Sequence, residues 1–173
     1  MKRALAVVLV ALATASAGIA APSRSTGGFC TGRQLSATFK VVPGSAGAGN
    51  IVYALRVTNR SRVRCTVTGL PVVRLLGPAG NPLPTHVRAA FPGALTAVVV
   101  TLRPGKSARA TARFSPDVPG PGEPTTKTHC EPIAAWLLVT ARGGGTTRAR
   151  ILPPTSVCEH GSLQFSAYGA VKS

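Results

Sequence analysis

Few side chains in this 173-residue chain can do chemistry: four cysteines, three histidines and four acids, set among 20 lysines and arginines. Whether Cys30, Cys65, Cys130 and Cys158 act as nucleophiles, metal ligands or cross-links depends on the redox compartment. His86, His129 and His160 are too few and too scattered to form a metal site by spacing, although His129 and His160 each stand close to a cysteine. The acids Asp117, Glu123, Glu131 and Glu159 offer no pair at an obvious spacing for glycoside hydrolysis. There is no Gly-x-Ser-x-Gly elbow and no His-Glu-x-x-His helix. Gly143-Gly144-Gly145 lacks the lysine and leading glycine of a phosphate loop and reads as a hairpin turn. Methionine-rich copper handling is excluded, because Met1 is the single methionine. The sequence therefore leads us to expect no catalytic residue, no cofactor, no metal and no enzymatic activity.

The compartment follows from the first residues. Lys2-Arg3 precede an apolar run from Ala4 to Ala13, and small residues continue to Ala21. Such a run is too short to span a bilayer, which needs roughly 20 apolar residues, and it has the form of an export signal. Small residues at the positions a signal peptidase reads place cleavage after Ala20, with Ala17 the alternative. No cysteine follows closely enough to be lipidated, so neither a lipid nor a transmembrane anchor is expected. Leu152-Pro153-Pro154-Thr155 resembles a wall-sorting motif, but Ser156 replaces the required glycine and no apolar tail follows. The expected organisation is a signal peptide at 1–20, a flexible segment at 21–29 and one domain at 30–173, secreted to the extracellular space or the cell envelope. Loss of Lys2 and Arg3 leaves a net charge near +14 against +16 for the whole chain. A charge of this size attracts anionic envelope polymers, headgroups or glycans through a salt-sensitive field, although an Arg- and Ala-rich composition can also arise without any ligand.

Short alternating segments between Gly and Pro punctuation imply an all-β fold. Leu35, Ala37, Phe39 and Val41 share one face of a first strand, and Ile51, Tyr53, Leu55 and Val57 one face of a second. Ala108, Ala110, Ala112 and Phe114 alternate with Arg109, Thr111 and Arg113. Further strands are expected at 65–67, 72–76, 96–102, 135–141, 147–152 and 163–168, which makes an immunoglobulin-like β-sandwich of eight or nine strands. Pro104-Gly105 favours a type II turn, which suits an arch between sheets better than a tight hairpin. The proline-rich stretch 116–127 reads as a long exposed loop. Asn59-Arg60-Ser61 matches a glycosylation pattern but reads as a turn, and Trp136 faces away from Leu137 and Val139.

In an exported chain the four cysteines imply two disulfides. Cys30 and Cys158 each precede a strand by five residues, which puts them together if the first and last strands run parallel side by side. This predicts Cys30 with Cys158 and Cys65 with Cys130; pairing of sequence neighbours is the alternative. Arg60, Arg62 and Arg64, spaced by two, would project to one side of an extended segment. With Arg109 and Arg113 they form a candidate polyanion contact.

Asn59, the run Cys65-Thr66-Val67-Thr68-Gly69-Leu70-Pro71, Leu75 to Gly80, Leu102-Arg103-Pro104-Gly105-Lys106-Ser107-Ala108, Cys130-Glu131-Pro132 and the terminal Cys158 resemble, in order, the domain-of-unknown-function family 4232. The resemblance covers nearly the whole domain. It implies an actinobacterial, exported, immunoglobulin-like sandwich and brings no catalytic residues. Many relatives carry a lipidated cysteine after the signal, which this chain lacks, so release from the cell is expected. The functional expectation is a secreted, non-enzymatic binding module for an anionic envelope polymer or an extracellular protein, without specific nucleic-acid recognition. The alternative is a structural or accessory protein without a ligand.

Overall fold

Alternation in the sequence becomes alternation of burial. In β1 (Leu35–Val41) and β2 (Ile51–Asn59) the side chains Leu35, Phe39, Tyr53, Leu55 and Val57 are buried, while Lys40 and Arg56 between them are exposed. The computed structural model describes residues 27–94, 98–124 and 130–171. The expected signal peptide and its cleavage sites, His129 and part of the 116–127 stretch lie outside the described residues.

The fold is all-β, as expected, but the eleven strands among the described residues exceed the eight or nine read from sequence. They comprise β3 (Cys65–Thr68), β4 (Val72–Leu76), β5 (His86–Ala89), β6 (Val99–Leu102), β7 (Ser107–Phe114), β8 (Ala134–Thr140), β9 (Thr146–Thr155), β10 (Ser162–Phe165) and β11 (Gly169–Ala170), besides β1 and β2. The excess has two sources. β5 offers only Val87 as a large apolar residue, too little for a period-2 signal, and the expected strand 163–168 stops at Phe165 in β10, with β11 a separate strand beyond it.

β4-β8-β9-β1-β2-β7-β10-β5 form one sheet in that order, with β11 on β7, while β3 and β6 make a separate ribbon. The edge strands β4 and β5 are consecutive in the chain and joined by residues 77–85, which stay on β4 through the Leu83 N–H to Leu75 carbonyl bond. Both edges must therefore approach each other, and the sheet curls into a nearly closed barrel-like shape. Its interior is one cluster drawn from strands all around the curl, including Leu75, Leu137, Phe39, Tyr53 and Phe165. The packing pairs large with small: Tyr53, Leu55 and Val57 of β2 lie opposite Ala112, Ala110 and Ala108 of β7. Phe39 and Phe114 close on the Tyr53 ring at centroid distances of 5.1 and 5.2 Å.

β1 pairs antiparallel with β2 and parallel with β9. β9 is thus interior, and its Pro153 and Pro154, which cannot donate to a ladder, fall where β1 pairing has ended and the β8 register shifts. The Pro104-Gly105 turn is the expected arch. Lys106 N–H bonds the Arg103 carbonyl at 3.0 Å, Gly105 has φ 75°, and the turn carries the chain from the β6 ribbon into β7 of the long sheet.

The disulfides correct the expected pairing. Cys30 is bonded to Cys65 and Cys130 to Cys158, with Cα separations of 4.8 and 5.5 Å. The parallel partner of β1 is β9, not the strand after Cys158. Cys158 follows the far end of β9, whereas Cys30 precedes the near end of β1, so the two cysteines sit at opposite ends of the sheet.

Candidate functional site

Strand directions sort the charged loops into two groups. One end of the sheet holds the start of β1, the end of β2 and the start of β7, since Leu35 pairs with Asn59 and Thr58 with Ser107. The opposite end holds Val41 and Phe114, and Cys158 joins it by donating its N–H to the Ser115 carbonyl. The first end carries the Cys30–Cys65 bridge and the loop cations Arg33, Arg60, Arg62, Arg64, Arg103, Lys106 and Arg142. Around the second, beside the Cys130–Cys158 bridge, stand all four acids of the chain.

At the basic end, Asn59 organises the loop. It is fully buried: its amide donates to the Val63 and Leu102 carbonyls, and its carbonyl accepts from the Ser61 N–H and hydroxyl. A glycan has no access there, and the turn reading holds. The segment after it bends instead of extending, so Arg60, Arg62 and Arg64 are all exposed but are not aligned by a strand as expected. The β8–β9 hairpin closes through the Gly144 N–H to Ala141 carbonyl bond. Its Gly143 lies so close to the Phe29 and Cys30 carbonyls that a Cβ would not fit. This contact seats Arg142, whose guanidinium lies 5.0 Å from the Phe29 ring centroid.

The outer face of the sheet extends the positive charge. Arg109 and Arg113 of β7 are exposed, as the alternation required. Arg56 stands directly opposite Arg109, and Gln164, between Arg113 and Arg88 in the pairing, completes a row. Sequence reading missed Arg56 and Arg88 here, since cross-strand register decides which residues become neighbours. Among the described residues, no lysine or arginine has a carboxylate within salt-bridge distance. Trp136 is half-buried, with the Arg150 guanidinium 5.8 Å from its ring centroid.

The acidic end is built differently. Glu159 and His160 both adopt left-handed φ, 55° and 56°, a conformation that costs non-glycine residues energy. It turns their consecutive N–H groups toward the Glu123 carboxylate, which also accepts the Gly120 N–H at 2.6 Å. Such a nest stabilises an anion. Burial alone would raise the Glu123 carboxyl, but the N–H groups of His160, Gly120 and Glu159 outweigh it and hold the group below its ordinary value. Glu131 is shifted the other way, first by burial and then by the neighbouring Glu123. His160 Nδ1 lies 3.6 Å from Glu123 and 3.7 Å from Glu131, while Nε2 meets the Pro121 carbonyl at 3.1 Å. The described part of the 116–127 stretch, 116–124, is thus not simply an exposed loop: Glu123 is buried and ties it to the Cys130–Cys158 bridge.

Glu123, Glu131 and His160 could in principle surround a cation. The Glu123 oxygens, however, are already engaged by three N–H groups. The geometry is that of an internal latch. Glu131 and His160 meet here, whereas Glu159 contributes its backbone N–H. Glu123, which no sequence motif marks, is the centre of the cluster.

A cavity of about 320 Å³ opens at the basic end between the β3–β6 ribbon and the tip of the β8–β9 hairpin. Among the described residues, no helix is long and apolar enough to cross a membrane. Neither a curated protein nor a solved structure matches the chain. Residues 30–168, from the first cysteine to Tyr168 on the cavity wall, match one family, and the chain belongs to it: Domain of unknown function (DUF4232).

Proposed function

We propose that this chain is a secreted, non-enzymatic, immunoglobulin-like module that binds an anionic polymer of the cell envelope. The observation carrying this reading is the segregation of charge, with all four acids around one end and unpaired cations over the other end and the β2–β7 face. A field of this kind orients an approaching polyanion and raises its encounter rate in a salt-dependent way. The Arg56–Arg109 pairing adds to the reading, because like charges directly opposite on antiparallel strands cost stability unless an anion lies between them. For the immunoglobulin-like class the support is strand order: β1-β2-β7 run as strands A, B and E, and β4-β8-β9 as C, F and G, with β1 joining both layers. Export is supported by the amino-terminal signal pattern and by two disulfides with no free cysteine.

The alternative is an accessory protein without a ligand. It draws on Arg74, Arg148 and Arg150, which spread charge over the other half of the sheet as composition alone would. Retention on isolated cell walls across a salt series separates the two readings. The module is retained at low salt and released by moderate salt, and replacing Arg56, Arg109 and Arg113 by serine weakens retention and flattens its salt dependence. No retention at low salt favours the accessory protein.

A further inference from the structure

The cavity at the basic end differs chemically from the cationic face. Its wall is largely apolar, formed by Leu35, Val67, Leu70, Val72 and Val139 beside Cys30. Its volume of about 320 Å³ falls at the lower end of the range typical of small-molecule sites. Val72 is 64% exposed at its edge, an apolar side chain left in water beside an apolar hollow.

Besides Thr66 and Thr140, three polar groups stand in this wall. Arg142 is exposed, has no carboxylate partner among the described residues and is seated by the Phe29 ring. Tyr168 is nearly buried; its N–H is held by the Gly69 carbonyl, and burial pushes its phenol up. Thr68 carries the one buried side-chain polar atom without a hydrogen-bond partner among the described residues. A guanidinium and two hydroxyls offer donors to an oxyanion, and no acid lines the cavity to oppose one. All four acids lie around the far end of the molecule.

We propose that this cavity binds a small amphipathic monocarboxylate, a short fatty acid whose aliphatic tail lies along Leu35, Val67, Leu70 and Val139 and whose carboxylate is held by Arg142. The charge of the cavity's surroundings selects the anionic head, and the apolar wall selects the tail. A polymer on the β2–β7 face would have no use for such a wall, so this site stands independently of the proposed envelope binding.

The test is calorimetric titration of the disulfide-bonded protein with octanoate and, separately, with 1-octanol. Octanoate should bind saturably, one to one, and more tightly than octanol. Arg142→Ala should weaken octanoate about tenfold, the scale of one charged hydrogen bond, while leaving octanol unchanged, and Arg142→Lys should restore part of the loss. Thr140→Trp, at an exposed wall position and checked for folding by near-ultraviolet circular dichroism, should block both ligands. Replacing Arg56, Arg109 and Arg113 by serine should leave octanoate binding intact, so failure of wall retention and failure of this site read out separately. Absence of saturable octanoate binding, or undiminished binding in Thr140→Trp, overturns the site. Equal affinity for octanol, or indifference to Arg142→Ala, overturns the assignment of the anionic head.

Discussion

The two ends of this sheet solve the same mechanical problem with opposite electrostatics. Each must fasten loops to a curled sheet, and each uses a disulfide beside a buried, fully hydrogen-bonded polar side chain. At the basic end that side chain is the neutral Asn59, which spends its bonds within its own loop and on the Leu102 carbonyl, leaving Arg60, Arg62 and Arg64 free at the surface. At the acidic end it is the charged Glu123, whose charge is consumed internally by three N–H groups and the adjacent imidazole. Charge is used up at one end for cohesion and displayed at the other. A display of unneutralised cations contributes nothing to folding, which is why the search for function belongs at the basic end.

Removing either bridge gives the largest effect and asks whether the ends are mechanically equal. The bridges close spans of 35 and 28 residues, and loop-closure entropy assigns about 4 kcal/mol to each. Paired Cys→Ala replacements at 30 and 65, or at 130 and 158, should therefore lower unfolding free energy by similar amounts in urea. A marked inequality would mean that one end is held mainly by its side chains. Non-reducing peptide mapping should find Cys30 with Cys65 and Cys130 with Cys158; a crossed pattern would undo the two-ended description.

The next effect separates the ends by pH. Glu123→Gln replaces a carboxylate in an N–H nest by an amide that presents donors to donors, and should cost about 2 kcal/mol at neutral pH. Because the folded carboxyl lies below its ordinary 4.5, its contribution is complete above about that pH and fades as pH falls through the lower folded value. The gap between wild type and variant in urea unfolding should accordingly close on acidification. Glu131→Gln should behave oppositely: Glu131 is raised, so its ionised form opposes the fold at neutral pH, and removing that charge should leave stability equal or slightly higher. Loss of stability in Glu131→Gln would show that its contact with His160 outweighs its repulsion by Glu123.

These ends were unequally legible. Period-2 patterns at 35–41, 51–57 and 108–114 revealed the central strands because each buries one face, and Pro104-Gly105 revealed its turn because only glycine takes the required positive φ easily. The cavity and the acidic latch were not readable. The latch depends on left-handed Glu159 and His160, residue types that do not announce that conformation, and on Glu123 returning from a distant loop. The disulfide pairing was misread for a related reason: equal spacing before two strands says nothing about which end of the sheet each strand begins from. Arg60, Arg62 and Arg64 were found by spacing, but the bend that Asn59 imposes removed the alignment that spacing promised.

The smallest effect bears most directly on why the displayed charge is there. Arg56 and Arg109 face each other across β2 and β7 with no acid within salt-bridge distance among the described residues. Arg56→Ser should then raise stability by about 0.5 kcal/mol at low salt, the scale of a like-charge cross-strand pair, and the gain should shrink as salt screens the repulsion. The same replacement should weaken retention on cell walls. A variant that is more stable but binds less would show that the pair is maintained against folding for the sake of an anion. A variant that is less stable at every salt concentration would instead show that the Arg56 stem packs on the sheet and that its charge is incidental.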